Sequence, residues 1–159
     1  MMIINNDIIN QGLEGQSKIL ESIKNHFKDD CTLDQIHLCF QLIIDLMILK
    51  KWYGVQVKSG RKTNDSNEKQ EHQQQQSSTP FLYLKAFETS EDEKLKKCQY
   101  VVPTKSASLW SLCTIKKYFE IFGKDSDEDG GGKELRKFTT AIQDGDGSVT
   151  YYQLSKPLM

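Results

Sequence analysis

Few side chains in this sequence are spaced for chemistry. The most suggestive are two carboxylates on a glycine turn, Asp144-Gly145-Asp146-Gly147. Aligned on an EF-hand calcium loop, Asp144 and Asp146 take the third and fifth positions and Gly147 the turn glycine. The first position is then Ile142 and the last Gln153, so the leading carboxylate and the bidentate glutamate are both missing. Calcium is set aside. His26, Cys31, His37 and Cys39 lie close in sequence, but their spacing matches no zinc knuckle, and they read as residues of two packed helices. No metal and no cofactor is expected.

Acid–base and nucleophilic catalysis have as little to draw on. The histidines are His26, His37 and His72, so the later half of the chain offers no imidazole. No glycine-rich phosphate loop occurs. Asp45, alone in an apolar run, is expected to be solvated or bonded to neighbouring backbone. The acidic stretch Asp125-Ser126-Asp127-Glu128-Asp129, followed by three glycines, reads as a solvated linker. Lys94, Lys96, Lys97, Lys105, Lys116 and Lys117 are numerous enough for a modest basic face near RNA, but solvated helix and loop charges are the favoured reading.

The elements around these residues follow from patterning. At 159 residues with 37% hydrophobic content, the chain is long enough for one domain with a real core. A mean hydropathy of −0.58 implies that part of it stays outside that core. The net charge of −1 gives no drive toward non-specific nucleic-acid binding. Cys31, Cys39, Cys98 and Cys113 form no CxxC pair, and Met1-Met2-Ile3-Ile4 runs at once into Asn5-Asn6-Asp7 rather than a signal segment. Reduced thiols in an intracellular protein are expected.

Residues 1–15 are asparagine-rich and expected to be loose, ahead of a single domain over 16–159. Ile19, Leu20, Ile23 and Phe27 predict an amphipathic helix over Ser17–Lys28. Thr32-Leu33-Asp34-Gln35 has the form of a capping box before an apolar helix, Ile36 to Leu49, too short and too interrupted to span a membrane. Trp52 to Val57 reads as a strand. The Gln-rich stretch 59–79 reads as a disordered insertion. Strands are expected at Phe81–Phe87 and at Gln99–Val102, the latter stopped by Pro103. Ser106 or Ser108 is expected to cap a helix through Leu109, Trp110 and Phe122 that Gly123 ends. A flexible loop follows at 124–134. The order α-α-β-β-β-α-β-β describes an α/β domain with one mixed sheet.

Lys137 to Ile142 and Ser148 to Leu154 flank the acidic turn as a β-hairpin. A terminal strand of this kind either completes the chain's own sheet or offers its free edge to another chain. The two uses are evenly matched on these residues alone.

Three pieces of the sequence resemble the small non-catalytic subunit of the eukaryotic tRNA-splicing endonuclease. They are Asp45-Leu46-Met47 in an apolar helix ending at Trp52; Tyr100-Val101-Val102-Pro103-Thr104 before a serine-capped helix; and Phe138 to Ile142, the acidic turn, then Val149 to Leu154 with its paired tyrosines. The resemblance covers about residues 17–58 and 80–157, and 59–79 and 124–134 depart from it. It implies a compact mixed sheet flanked by helices, like the C-terminal nuclease domain of the tRNA-intron endonucleases. Catalytic relatives use a tyrosine, a histidine and a lysine. Here the strand in the histidine-bearing region has none, and Lys137 marks a vestigial active-site region.

The resemblance further implies that Asp144 and Asp146 form a docking loop, and that Val149, Tyr151, Tyr152 and Leu154 form a pairing strand. The implied partners are a catalytic endonuclease subunit, the other subunits, and precursor tRNA through the complex, with homodimerisation when the chain is alone. Nuclear location follows from the family only. A free-standing RNA-binding or ribonuclease module of related fold is the alternative, and a calcium-responsive binding module a third.

Overall fold

The computed structural model describes residues 1–60, 81–88, 97–106, 111–128 and 134–156. Helical apolar spacing forms α2 (Leu13–Phe27), which buries Gly15, Ile19, Ile23 and Phe27. Gly15 is required by a close approach: a Cβ there would sit 1.9 Å from the Ile8 carbonyl oxygen of the short helix α1 (Asn6–Ile9). The capping box forms as read. The Thr32 hydroxyl accepts the Gln35 N–H at 3.3 Å, and the Gln35 side chain accepts the Thr32 N–H at 3.1 Å. From it runs α3 (Leu33–Ile44), extended by a π-helical turn, Asp45–Leu49.

The sheet has six strands in the order β1-β2-β3-β4-β5-β6. They are β1 (Met2–Ile3), β2 (Tyr53–Gly60), β3 (Phe81–Phe87), β4 (Cys98–Lys105), β5 (Lys137–Gln143) and β6 (Val149–Ser155). All neighbours are antiparallel except β4 and β5, which are parallel and joined across one face by α4 (Leu112–Glu128). The alternation of each strand sorts its side chains between two cores. On one face Val55, Val57, Leu82, Leu84, Val101 and Ala141 pack with α2 and α3. On the other, Tyr83, Tyr100, Val102 and Phe138 pack with Phe119 and Phe122 of α4. The architecture is thus α/β, a mixed sheet between helical layers. No helix among the described residues is long and apolar enough to cross a membrane.

Five departures from the sequence reading have physical causes. At the N-terminus, expected to be loose, β1 pairs with Val57 and Gln56, and Ile4 is buried with its N–H on the Val55 carbonyl at 2.9 Å. The asparagine signal there is a cap: the Asn5 side chain accepts the Asp7 N–H at 2.8 Å. β2 continues past Val57, because Ser59 and Gly60 pair with Leu82 and Phe81; the rest of the Gln-rich stretch lies outside the described residues.

Pro103 does not stop β4, which stays in register with β5 up to Lys105. The ladder to β3 ends at Val101, so beyond it β4 is paired on one side only, where a missing N–H is tolerated. Ser106 does not cap α4, which begins at Leu112 after Ser111 accepts the Thr114 N–H at 3.2 Å; Ser108, Leu109 and Trp110 lie outside the described residues. Gly123 does not end that helix, which runs to Glu128. Residues 89–96 and 129–133, with Lys94, Lys96 and the three glycines of the expected loop, also lie outside the described residues.

Candidate functional site

The β5–β6 hairpin holds register along its full length, from Lys137 opposite Ser155 to Gln143 opposite Val149. Its turn is built by the acidic residues themselves. The Asp144 N–H donates to the Ser148 carbonyl at 2.9 Å, and the Gly147 N–H donates to the Asp144 carbonyl at 3.0 Å. Gly147 has φ +87°, which favours glycine. The Ser148 backbone N–H and hydroxyl both donate to Asp146 Oδ1, at 2.9 and 2.6 Å, and these bonds hold the Asp146 carboxyl below its usual range. Asp144 and Asp146 are both exposed.

One side of β6 is paired to β5, and among the described residues no strand pairs with the other. Its side chains divide by parity. Val149 and Tyr151 pack toward α2 and α3, Leu154 packs toward α4, and Tyr152 is 54% exposed. The structure therefore brings Asp144 and Asp146 together at one end of an open sheet edge. Tyr152 is on its surface, and Val149, Tyr151 and Leu154 are half-buried beside it.

Tyr151 has a second attachment. Its hydroxyl donates to the carboxylate of Asp45, at the start of the π-helical turn. The Lys50 ammonium lies 4.4 Å from the Tyr151 ring centre and 6.0 Å from that of Trp52. Burial, then the bond to Asp45, push the Tyr151 phenol well above its ordinary value. Asp45 is thus neither merely solvated nor turned onto backbone: it bonds a side chain distant in sequence.

Lys137 is exposed at the start of β5, and neither β4 nor β5 contains a histidine. The described histidines, His26 and His37, belong to α2 and α3. Among the described residues no three His, Cys, Asp or Glu side chains gather as metal ligands. Lys105 pairs at 3.6 Å with Asp34, both well exposed, a contact of little energetic weight.

The sequence reading missed one cluster. Asp125, placed in a solvated linker, lies on the inner face of α4 under the sheet. It bonds Lys58 of β2, Lys85 of β3 at 3.3 Å, and the Tyr100 hydroxyl of β4 at 2.7 Å. Lys85 is 4% exposed, so this carboxylate balances charge inside the core. Burial alone would raise the Asp125 carboxyl. The bonds from Lys58 and Tyr100 and the charges of both lysines outweigh it and hold the group below 3.8. Burial, and then the Asp125 bond, raise the Tyr100 phenol well above its ordinary range. The signal was present in the spacing. Asp125 follows Phe122 on the buried stripe of α4, and Lys85 shares a strand face with Phe81 and Tyr83. The cluster ties three strands to one helix.

What the site offers, then, is an open strand edge ending in an acidic turn, on a scaffold pinned by internal charge. No curated protein matches the sequence. Residues 41–159, spanning every strand from β2 to β6, match the family described as Sen15 protein. The chain belongs to that family, and so is a subunit of the tRNA-splicing endonuclease complex.

Proposed function

We propose that this chain is a non-catalytic structural subunit, which pairs with a catalytic subunit and positions it for intron excision from precursor tRNA. The observation that carries this reading is β6, an edge strand unpaired on its outer side among the described residues and preceded by two exposed carboxylates. A partner strand would gain main-chain ladder bonds along that edge. Asp144 and Asp146 would enter a basic cleft of a subunit across the assembly and set orientation there. The absence of histidine from β3, β4, β5 and β6 supports an architectural role, because Lys137 alone can steady a phosphate but cannot serve as an acid–base pair. Likeness to the intron-endonuclease nuclease domain, work in the nucleus, and self-pairing through the same edge when no partner is present belong to this proposal.

The test is light scattering after gel filtration, for the chain alone and co-expressed with the catalytic subunits of its organism. A heterodimer is expected, lost when the chain is truncated before Ser148. Converting Asp144 and Asp146 to lysine should weaken assembly while the monomer keeps its fold. Unchanged assembly would defeat the docking reading.

A further inference from the structure

The sheet parts between β3 and β4. Their ladder runs from Phe87 opposite Cys98 only as far as Leu84 opposite Val101. Beyond it Phe81 and Leu82 stay with β2, and Val102 to Lys105 stay with β5. A cavity of about 320 Å³ occupies the gap, flanked on one face by Asp34, Gln35 and Leu38 of α3 and on the other by Thr114 and Tyr118 of α4. It lies at the Lys105 end of the sheet, opposite to the end that carries Lys137. Its size is at the lower end of the range for small-ligand sites, about 300–1,000 Å³.

Pro103 accounts for where the ladder stops, and it leaves a mark inside the cavity. Backbone groups along a strand turn alternately to its two neighbours. The Glu88 N–H bonds the Lys97 carbonyl and the Ser106 N–H bonds the Gln143 carbonyl, which fixes both alternations. Leu82 and Pro103 then face each other across the gap, and Pro103 has no N–H to give the Leu82 carbonyl. Leu82 is 3% exposed, so water serves this acceptor poorly. Buried Thr104 adds a second acceptor. The Thr140 hydroxyl donates to the Val102 carbonyl at 3.2 Å, so that of Thr104 donates to Thr140 at 3.1 Å and keeps its lone pairs. At the rim the Asp34 carboxylate and the Lys105 ammonium stand 3.6 Å apart, while Leu38, Pro103 and the Tyr118 ring supply apolar wall.

We propose that this cavity takes an unstacked guanine of the RNA on which the complex acts. Guanine carries N1–H and N2–H₂ donors beside the O6 acceptor on one edge, and a carboxylate next to an ammonium matches that order. Adenine and cytosine present a ring acceptor where guanine has N1–H, and a carboxylate repels it. A guanidinium also offers donors, but Lys105 repels a second cation and would be left without an acceptor. The buried acceptors of Leu82 and Thr104 favour the same donor-rich base, and the Tyr118 wall suits its flat ring. Both rim residues are exposed, so opening their pair onto a ligand costs little. Lys117, three residues after Thr114 on α4, adds positive charge for an adjoining phosphate. The site is independent of the β6 edge.

The test titrates the full chain, alone and assembled with the other endonuclease subunits, with short labelled oligouridylates carrying one central guanosine, adenosine or inosine. Anisotropy at low salt should show the guanosine RNA binding about tenfold tighter than the adenosine RNA. Inosine, which lacks the N2 amino group, should fall between them. Asp34→Ala should remove the preference, and Lys105→Ala should weaken the guanosine RNA several-fold. Lys18→Ala, at an exposed lysine of α2, is the control and should change nothing. Far-ultraviolet circular dichroism should match the parent chain for all three. Equal binding of guanosine and adenosine RNAs, by the chain and by the complex, overturns the site. A preference that survives both Asp34→Ala and Lys105→Ala overturns the cavity as its reader. Guanosine monophosphate binding as tightly as the guanosine RNA overturns the assignment to RNA. Assembly on gel filtration should be unchanged by these substitutions, so failure of the guanine site leaves the docking edge standing.

Discussion

Asp125 shows how two magnitudes of different size settle a helix end. A glycine inside a helix costs about 1 kcal/mol relative to alanine, which is why Gly123 reads as a stop. Breaking a buried ion pair costs roughly 3–5 kcal/mol, so a helix that carries Asp125 on to Lys58 and Lys85 outweighs the glycine. Asp125→Ala is accordingly expected to lower stability by about 3 kcal/mol in urea unfolding. The pH dependence has a defined sign. Because the folded carboxyl lies below 3.8, the unfolded chain binds more protons in mild acid. The contribution is complete above that ordinary value and drains away as pH falls through the lower folded one. Asp125→Asn should flatten this acid limb; an unchanged slope would mean that the carboxylate is not linked to folding. The sequence could have shown the residue, at helical spacing after Phe122, but not the pairing, which depends on three strands meeting beneath one helix.

At the scale of elements, the helices were legible and the strand limits less so. Capping residues and apolar stripes are local, and α2, α3 and the β5–β6 hairpin form close to where patterning puts them. Strand ends are set by neighbours instead: β2 runs to Gly60 because Phe81 meets it, and β4 passes Pro103 because β5 holds it there. The hairpin has its own non-local tie, from Tyr151 to Asp45. Tyr151→Phe removes a single hydroxyl bonded to a charged group and should cost about 1.5–3 kcal/mol, with faster amide exchange across β6. Unchanged exchange would show that the strand is held by its ladder alone. The phenols of Tyr100, Tyr118 and Tyr151 all lie above the ordinary 10.0, each raised first by burial. An unfolded chain therefore loses these protons first, so stability is full below pH 10 and falls as pH rises past it. Ultraviolet titration should find these three protonated beyond pH 10 until the chain unfolds; their ionisation near pH 10 would contradict their burial.

At the scale of the molecule, the fold class was legible because elements alternate and a single crossover, through α4, makes one parallel pair. The open edge at β6 was legible only as one of two uses of a strand, and the exposure of Leu49 beside it was not legible at all: it depends on a π-helical turn that no residue pattern announces. The long connection between β2 and β3 joins residues already paired, Gly60 opposite Phe81. Replacing it with a short Asn-Gly turn should keep the fold and raise stability by about 1 kcal/mol through lower loop-closure entropy. A large loss on thermal melting would mean that the connection contributes to the core.

The sheet's order carries a consequence in time. Each strand lies beside its predecessor in the chain, so a chain leaving the ribosome can lay strand upon strand in the order they are made. The growing edge is raw and adhesive at every stage, and Asp144 and Asp146 emerge just ahead of the last strand, β6. On the docking reading proposed above, charge of that kind would mark the finished edge as ready for a basic partner. Completion and competence to assemble would then be the same event.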